Sequence, residues 1–436
     1  MKMSINNLKT ATILMLIGVF AMALFVQCSN AQQKKIKPRI LISTDIGGTD
    51  PDDFQSMIHL LMYADIFQIE GLVSTSFKTG TTQDLLDMIA LYEKDLGKLK
   101  EHAPELPHPD SLRSICKEGT KVGAPYKGYG SPTKGSEWIV KCAKKQSEQP
   151  LWVLVWGGIE DVAQALHDAP EIEKKIRVYW IGGPNKKWGP NAYAYIAENH
   201  PNLWMIESNA TYRGWFIDDD SPKDITNEAY YENYIKGNSA MGVDFKKRYA
   251  GRVKMGDTPS LAYVMNGNPD DPTSESWGGE YIPIHHSSRS IFNRNTTTAD
   301  TVKAYGIQEW RFKGPELTMP QDSVCFTITI SNQVWPGYYL GNGTYGFRYS
   351  SKKPETGSYM TSSDIPELDR QHGQYVSIKP WPGKEDADDY KLGTNWYGDL
   401  PNPELFLDGQ QGARTISKHR EAFLMDWAKK WEWINK

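Results

Sequence analysis

The sequence predicts an α/β protein whose sheet is mainly parallel and flanked by helices. Residues 39–44, 151–156 and 176–181 are apolar runs rich in β-branched or aromatic side chains, as expected of strands buried on both faces. The first two runs precede segments with apolar residues at helical spacing. This alternation predicts a Rossmann-like parallel sheet, which binds its ligands beyond the carboxyl ends of the strands.

Shorter runs at residues 69–74 and 202–206 predict two more strands of this sheet. The sequence changes character near residue 300, where strand-type runs and a hairpin-turn signal at Asn342 and Gly343 indicate a β-rich insertion. A last helix is expected to pack back on the main core through an apolar stripe of Phe423, Trp427, Trp431 and Ile434.

The chain is therefore expected to have four parts. Residues 1–31 form a signal peptide, 38–300 the α/β domain, 301–415 the β-rich insertion and 416–436 the closing helix. The first part has a basic start and an apolar stretch that is short for a membrane span of about 20 residues. We expect an exported protein, periplasmic, outer-membrane-associated or secreted, without a transmembrane helix in the mature chain. A lipid anchor at Cys28 is the alternative to a soluble amino terminus.

Composition excludes some classes of function. The 436 residues carry a formal net charge of −4, from 49 basic and 53 acidic side chains. Since nucleic-acid binding needs a basic excess on one face, no nucleic-acid partner is expected. Three cysteines remain after Cys28 and show no metal-type pairing, so they predict at most one disulfide.

The sharpest local feature is a cluster of acidic residues after the first predicted strand. Asp45, Asp50, Asp52 and Asp53 fall within nine residues, and a helix is predicted to begin near Pro51. Helix capping by Asp50, with Pro51 as the first helical residue, is one interpretation. It leaves Asp45 unexplained. Carboxylates that converge repel one another unless a proton or a cation neutralises them. If a cation does so, the oxygen ligands favour Ca²⁺, or alternatively Mg²⁺, over Zn²⁺.

This segment resembles the amino-terminal signature of nucleoside hydrolases, and more closely a nucleoside-hydrolase-like family described as cellulose-binding proteins. The matching motifs are Thr-Asp-Ile ending at Ile46 and Pro-Asp-Asp ending at Asp53. Residues 69–73, 150–166 and 256–279 contain three further matches in the same order. The resemblance therefore spans about residues 39–281 and implies a nucleoside-hydrolase-like fold.

The resemblance also implies roles for individual residues. Asp45 corresponds to a metal ligand that is also the catalytic base for water, and Asp53 to a chelating ligand. Asp52 corresponds to a metal ligand or a contact to a sugar hydroxyl. Asp257 corresponds to the distal metal ligand. The alternative is that its side chain caps the helix that follows it. Glu160 stands where nucleoside hydrolases bind calcium through a backbone carbonyl, so its side chain has no implied role.

Two tryptophans in Gly/Pro-rich segments, Trp188 and Trp277, are candidates for stacking on a sugar ring. Gly256 stands where nucleoside hydrolases often carry a histidine, and their ribose-contacting residues have no clear counterparts. No residue stands out as the proton donor for a leaving group. These departures argue against specificity for nucleosides.

The expected function is an exported metal-dependent hydrolase of glycosidic bonds that acts on glycan-derived or glycoside substrates. A carbohydrate-binding protein that no longer turns over is the first alternative. Hydrolysis of nucleosides ranks third.

Overall fold

The computed structural model describes residues 36–75, 79–219, 221–380 and 383–435. The predicted signal peptide and Cys28 lie outside these residues. In the described ranges the strands are, in chain order, β1 Arg39–Thr44, β2 Gln68–Ser74, β3 Cys116–Glu118, β4 Leu151–Val155, β5 Ile176–Ile181, β6 Trp204–Ser208, β7 Tyr281–Pro283, β8 His286–Ser287, β9 Arg289–Phe292, β10 Thr301–Ala304, β11 Ile307–Lys313, β12 Val324–Ile330, β13 Gln333–Gly341, β14 Thr344–Tyr349, β15 Glu355–Ser362, β16 His372–Pro380, β17 Tyr390–Lys391 and β18 Trp396–Asp399.

The helices in the same part of the chain are α1 Asp52–Met62, α2 Thr82–His102, α3 Pro109–Ser114, α4 Lys134–Ala143, α5 Glu160–Asp168, α6 Gly183–Trp188, α7 Pro190–Asn199, α8 Ala240–Lys247, α9 Thr258–Met265, α10 Arg414–Ser417 and α11 Arg420–Asn435. Short 3₁₀ segments lie at Pro170–Lys174, Thr211–Trp215, Lys223–Ile225, Tyr249–Gly251 and Pro403–Leu405, and a π-helical turn at Tyr231–Ile235.

The first sheet has eight strands in the order β3-β2-β1-β4-β5-β6-β18-β7. All neighbours pair in parallel except β18 and the edge strand β7. Strands β1 and β4 are completely buried, as their apolar runs predict. The predicted fold class, a nucleoside-hydrolase-like parallel sheet flanked by helices with a β-rich region near the carboxyl terminus, is therefore confirmed.

The second sheet also has eight strands, in the order β10-β16-β15-β12-β13-β14-β11-β9, and is nearly closed like a barrel. An aromatic core that includes Trp310, Phe347 and Tyr375 fills one of its faces. Asn342 and Gly343 connect β13 to β14 with φ values of 50° and 64°. Two consecutive left-handed residues are the geometry of a two-residue hairpin turn.

The sheet boundaries differ from the predicted domain boundaries at both ends. The second sheet already includes Arg289–Phe292, before residue 301. Residues Trp396–Asp399, within the predicted insertion, form a strand of the first sheet between β6 and β7. This strand has only four residues and no alternating pattern, so its place in the sheet comes from pairing with distant strands.

The closing helix α11 packs on the core of the first sheet. Trp427 and Trp431 are completely buried, and Phe423 stacks on Trp215 with ring centroids 3.7 Å apart. Cys116, Cys142 and Cys325 are free thiols, so the possible disulfide does not form among them. In the described residues, every helix is too short or too polar to cross a membrane.

Candidate metal centre

Four of the predicted site residues lie at the carboxyl edge of the first sheet. Asp45 directly follows β1, and Asp52 and Asp53 begin α1. Asp257 directly precedes α9. Because β1 and β4 are parallel neighbours, the segments that follow these two strands meet at the same edge of the sheet.

The carboxyl groups converge although Asp257 is far from the others in sequence. Carboxylate oxygens of Asp52, Asp53 and Asp257 all lie within 4.8 Å of one another. Asp53 and Asp257 are only 2% and 3% exposed. Asp45 is not one of these three, but its carboxyl group contacts that of Asp53. It is also less enclosed than Asp53, being only half-buried.

Neighbouring side chains hold Asp53 and Asp257 in place. The Thr44 hydroxyl donates a hydrogen bond to Asp53 Oδ1. The Ser260 hydroxyl donates to the backbone carbonyl of Asp257 at 2.7 Å and accepts from the indole N–H of Trp156, also at 2.7 Å. Asp257 occupies the cap position of α9, but its side chain makes no capping hydrogen bond.

Burial and mutual repulsion both disfavour the ionised forms of these acids. Burial, followed by the charge of Asp257, raises the pKa of Asp53 well above its ordinary range. The pKa of Asp257 is raised by burial and then by Asp52. Burial raises the pKa of Asp52 to about 7 and that of Asp45 to about 6, and in both cases the charge of Asp50 adds to the effect.

The donor set fits a divalent cation that prefers oxygen ligands. Asp257 Oδ2 is buried and has no hydrogen-bond partner in the described part of the chain. Two glycines allow close approach, since a Cβ atom at Gly157 would lie 2.6 Å from Asp45 Cγ, and one at Gly256 would lie 2.4 Å from Asp52 Oδ2. Several buried carboxylates at this distance need protons or a cation to offset their repulsion.

The capping interpretation of Asp50 is wrong. Helix α1 begins at Asp52, and Pro51 occupies the cap position without a side-chain hydrogen bond. Asp50 instead pairs with Lys254, whose ammonium lies 3.0 Å from Asp50 Oδ2 and 3.8 Å from Asp52 Oδ2. The sequence offered no signal for Lys254, because a single lysine far along the chain looks like any surface lysine.

The three remaining predicted residues have different surroundings. Glu160 begins α5 and is buried, and its carboxyl pKa responds to the charge of Asp45. Trp188 ends α6 and lies against Trp335 of the second sheet, with centroids 5.1 Å apart. Trp277 is half-buried and packs edge-on against the closing helix through Phe423.

A cavity of about 680 Å³ opens at the opposite edge of the first sheet, where β1, β4 and β5 begin. Its lining includes Arg39, Lys145 and Arg177. Arg39 and Lys145 both pair with Glu70. The acidic cluster lies instead at the carboxyl edge, where parallel sheets bind their ligands.

The parallel sheet and the acidic cluster at its carboxyl edge define a nucleoside-hydrolase-like α/β protein with a candidate metal centre. Residues 39–281 match the family described as "Cellulose-binding Sde182, nucleoside hydrolase-like domain". The chain belongs to this family. Residues 301–364 match a second family, described as a domain of unknown function, DUF5060. No curated protein matches the sequence.

The solved structures that this chain is similar to have low sequence identity to it. A nucleoside hydrolase-related hypothetical protein from Saccharophagus degradans, associated with carbohydrate metabolism, is 18% identical, and the match covers 79% of this chain and 100% of that one with a TM-score of 0.48. The inosine-uridine preferring nucleoside hydrolase from Bacillus anthracis is 16% identical, over 58% and 87% of the two chains, with a TM-score of 0.37. A putative glycoside hydrolase from Bacteroides vulgatus is 26% identical over 20% of this chain and 17% of its own, with a TM-score of 0.17.

Proposed function

We propose that the protein is an exported, metal-dependent hydrolase that cleaves glycosidic bonds in glycan-derived or glycoside substrates. The convergence of Asp52, Asp53 and Asp257 within 4.8 Å, with Asp45 in contact, carries this proposal. The family description as cellulose-binding supports a carbohydrate substrate.

The proposed ligands are the carboxylates of Asp45, Asp52, Asp53 and Asp257, with the backbone carbonyl of Glu160. All of them are oxygen donors, which favours Ca²⁺, with Mg²⁺ as the alternative. A cation bound there lowers the pKa of water and orients substrate oxygens.

The side chains have separate tasks in this proposal. Asp45 and Asp52 are half-buried beside the enclosed Asp53, so water can reach either of them. The resemblance to nucleoside hydrolases assigns the role of base to Asp45, which would accept a proton from an attacking water. The cluster as a whole stabilises the positive charge that develops on the sugar ring during cleavage. Trp188 and Trp277 remain the predicted stacking surfaces for the sugar.

Hydrolysis of a glycoside panel, with and without chelator, tests the proposal. We expect chelation to abolish activity and Ca²⁺ to restore it. Asp45→Asn should reduce kcat by about 10²- to 10⁴-fold, because it removes the base. Asp87→Asn is a matched control, since Asp87 is an exposed residue of α2. Full activity of Asp45→Asn, or of the metal-free protein, would contradict the mechanism.

A carbohydrate-binding protein without turnover is the second candidate. The description of the family favours it, as does the lack of an identified proton donor for the leaving group. In that case glycans bind without release of reducing sugar, and binding survives Asp53→Asn. Release of base from inosine or uridine would instead indicate a nucleoside hydrolase.

A further inference from the structure

The carboxyl group of Glu160 is a buried acid that the proposed metal centre does not use, since only the backbone carbonyl of this residue is a proposed ligand. Glu160 is 4% exposed, and neither carboxyl oxygen has a hydrogen-bond partner of normal geometry among the described residues. Buried acceptors without donors are costly, so the arrangement suits a ligand that brings donors.

A second unpaired acceptor lies close by. The backbone N–H of Ala124 is near enough to lower the pKa of Glu160, and the carbonyl of the same residue accepts a 3.0 Å hydrogen bond from Asn191 Nδ2. Asn191 Oδ1 is buried and has no partner in the ranges that the structure describes. The carboxyl of Glu160 and the amide oxygen of Asn191 therefore adjoin one backbone segment.

Aromatic side chains of α6 and of the second sheet lie near these acceptors. Trp188 directly precedes Gly189, where a Cβ atom would lie 2.9 Å from Glu160 Oε1. Trp335, on β13 of the second sheet, lies against Trp188. Tyr338 on the same strand has a pKa that is raised by burial and further raised by the charge of Glu160. The second sheet thus contributes one wall beside the acidic cluster.

We propose that Glu160, Asn191 and the Trp188–Trp335 pair form a carbohydrate subsite, in which the Glu160 carboxyl accepts hydrogen bonds from two neighbouring hydroxyls of one sugar ring. Sugar hydroxyls supply the missing donors, and the apolar face of a sugar ring packs on aromatic side chains. Anionic ligands are disfavoured by the nearby carboxylates. This inference rests on the proposed function, because it says where the carbohydrate of that function binds.

Isothermal titration of the Ca²⁺-loaded protein with cellotetraose, xylotetraose and mannotetraose tests the subsite. We expect Glu160→Gln to raise the Kd of the bound tetrasaccharide by on the order of tenfold or more, because the amide keeps only one acceptor oxygen. Gly189→Ala should do the same, since its methyl group would lie only 2.9 Å from Glu160 Oε1 and the carboxyl group would have to shift. Glu148→Gln, at an exposed glutamate by the opposite cavity, is the matched control. The Ca²⁺ affinity of Gly189→Ala should match the wild type.

The outcomes separate the subsite from the proposed function. If the wild type neither binds nor cleaves any of the three tetrasaccharides, the proposed function fails and the subsite fails with it. If the wild type binds and both variants bind equally well, the subsite is overturned while the function stands. A loss of Ca²⁺ affinity in Glu160→Gln would assign the carboxyl to the metal centre and overturn the subsite. If Glu160→Gln does not fold, the tetrasaccharide affinity of Gly189→Ala tests the subsite instead.

Discussion

The guanidinium of Arg348, on β14 of the second sheet, donates a 2.7 Å hydrogen bond to the backbone carbonyl of Tyr126, in a loop of the first domain. It also lies 3.8 Å from the centre of the Tyr126 ring and donates to Glu309 at 2.9 Å. Tyr126 is two residues beyond Ala124, which adjoins Glu160. The second sheet therefore holds a loop that borders the candidate site.

Replacing Arg348 should destabilise the protein more than replacing another arginine of the same cluster. Arg348 and Arg311 both pair with Glu309, but their side chains are 8% and 36% exposed. Arg348→Ala leaves Glu309 paired with Arg289 and Arg311, but it removes a buried charged hydrogen bond and the donor to the Tyr126 carbonyl. It should therefore cost about 2–3 kcal/mol in the free energy of unfolding. Arg311→Ala should cost about 1 kcal/mol or less. Urea unfolding measures both, and equal losses would contradict this account.

Glu309 should make stability depend on pH in the acid range. Burial alone would raise its pKa, but the guanidiniums of Arg348 and Arg289 lower it from 4.5 to about 2. A pKa lowered by folding stabilises the folded state above pH 4.5, and this contribution is lost as the pH falls towards 2. Glu309→Gln should therefore lose about 3 kcal/mol at pH 7 and show a shallower decline on acidification.

Urea unfolding at pH 7, 5 and 3.5 measures this effect. The control is Glu367→Gln, because Glu367 is an exposed glutamate of the second-sheet region. A decline of equal steepness in Glu309→Gln and the wild type would rule out Glu309 as its source.

Calcium should stabilise the wild type but not Asp257→Asn. A ligand that binds only the folded state adds about 2.7 kcal/mol at a concentration of 100 times its Kd. Without metal, Asp257→Asn should be at least as stable as the wild type, because it removes a buried carboxylate from a repelling cluster. Thermal unfolding with Ca²⁺ or chelator tests both statements. An unchanged Ca²⁺ shift in the variant would exclude Asp257 as a ligand.

Gly256→Ala should weaken metal binding without unfolding the protein. Its new methyl group would lie 2.4 Å from Asp52 Oδ2, so the carboxylate must move. Gly130→Ala is a suitable control, since its Cβ would meet only Pro125 at 3.9 Å. We expect at least a tenfold higher Kd for Ca²⁺ in Gly256→Ala by calorimetry, a loss of about 1.4 kcal/mol. Equal affinities in the two variants would show that Asp52 does not bind the ion.

The closing helix should be required for stability. Trp427 is completely buried between His59 and Tyr230, whereas Trp433 on the same helix is half-buried. Trp427→Ala should lower the free energy of unfolding by about 3–5 kcal/mol, because it opens a large cavity. Trp433→Ala should cost clearly less. Urea unfolding of the two variants compares them, and similar losses would argue against core packing by this face.

Strands β1, β2, β4, β5 and β6 and the helices that follow β1 and β4 are determined by the sequence itself. The same holds for the grouping of Asp45, Asp52 and Asp53. Burial on both faces leaves continuous apolar runs, and helices leave apolar residues at regular spacing, so both leave local traces. The spacing of the three acids places them on one strand-loop-helix unit. Only the tertiary structure decided the rest, including the approach of Asp257, the return of Trp396–Asp399 to the first sheet and the contact of Trp188 with Trp335. Each of these joins residues distant along the chain through packing, and such contacts leave no periodic pattern in the sequence around either partner.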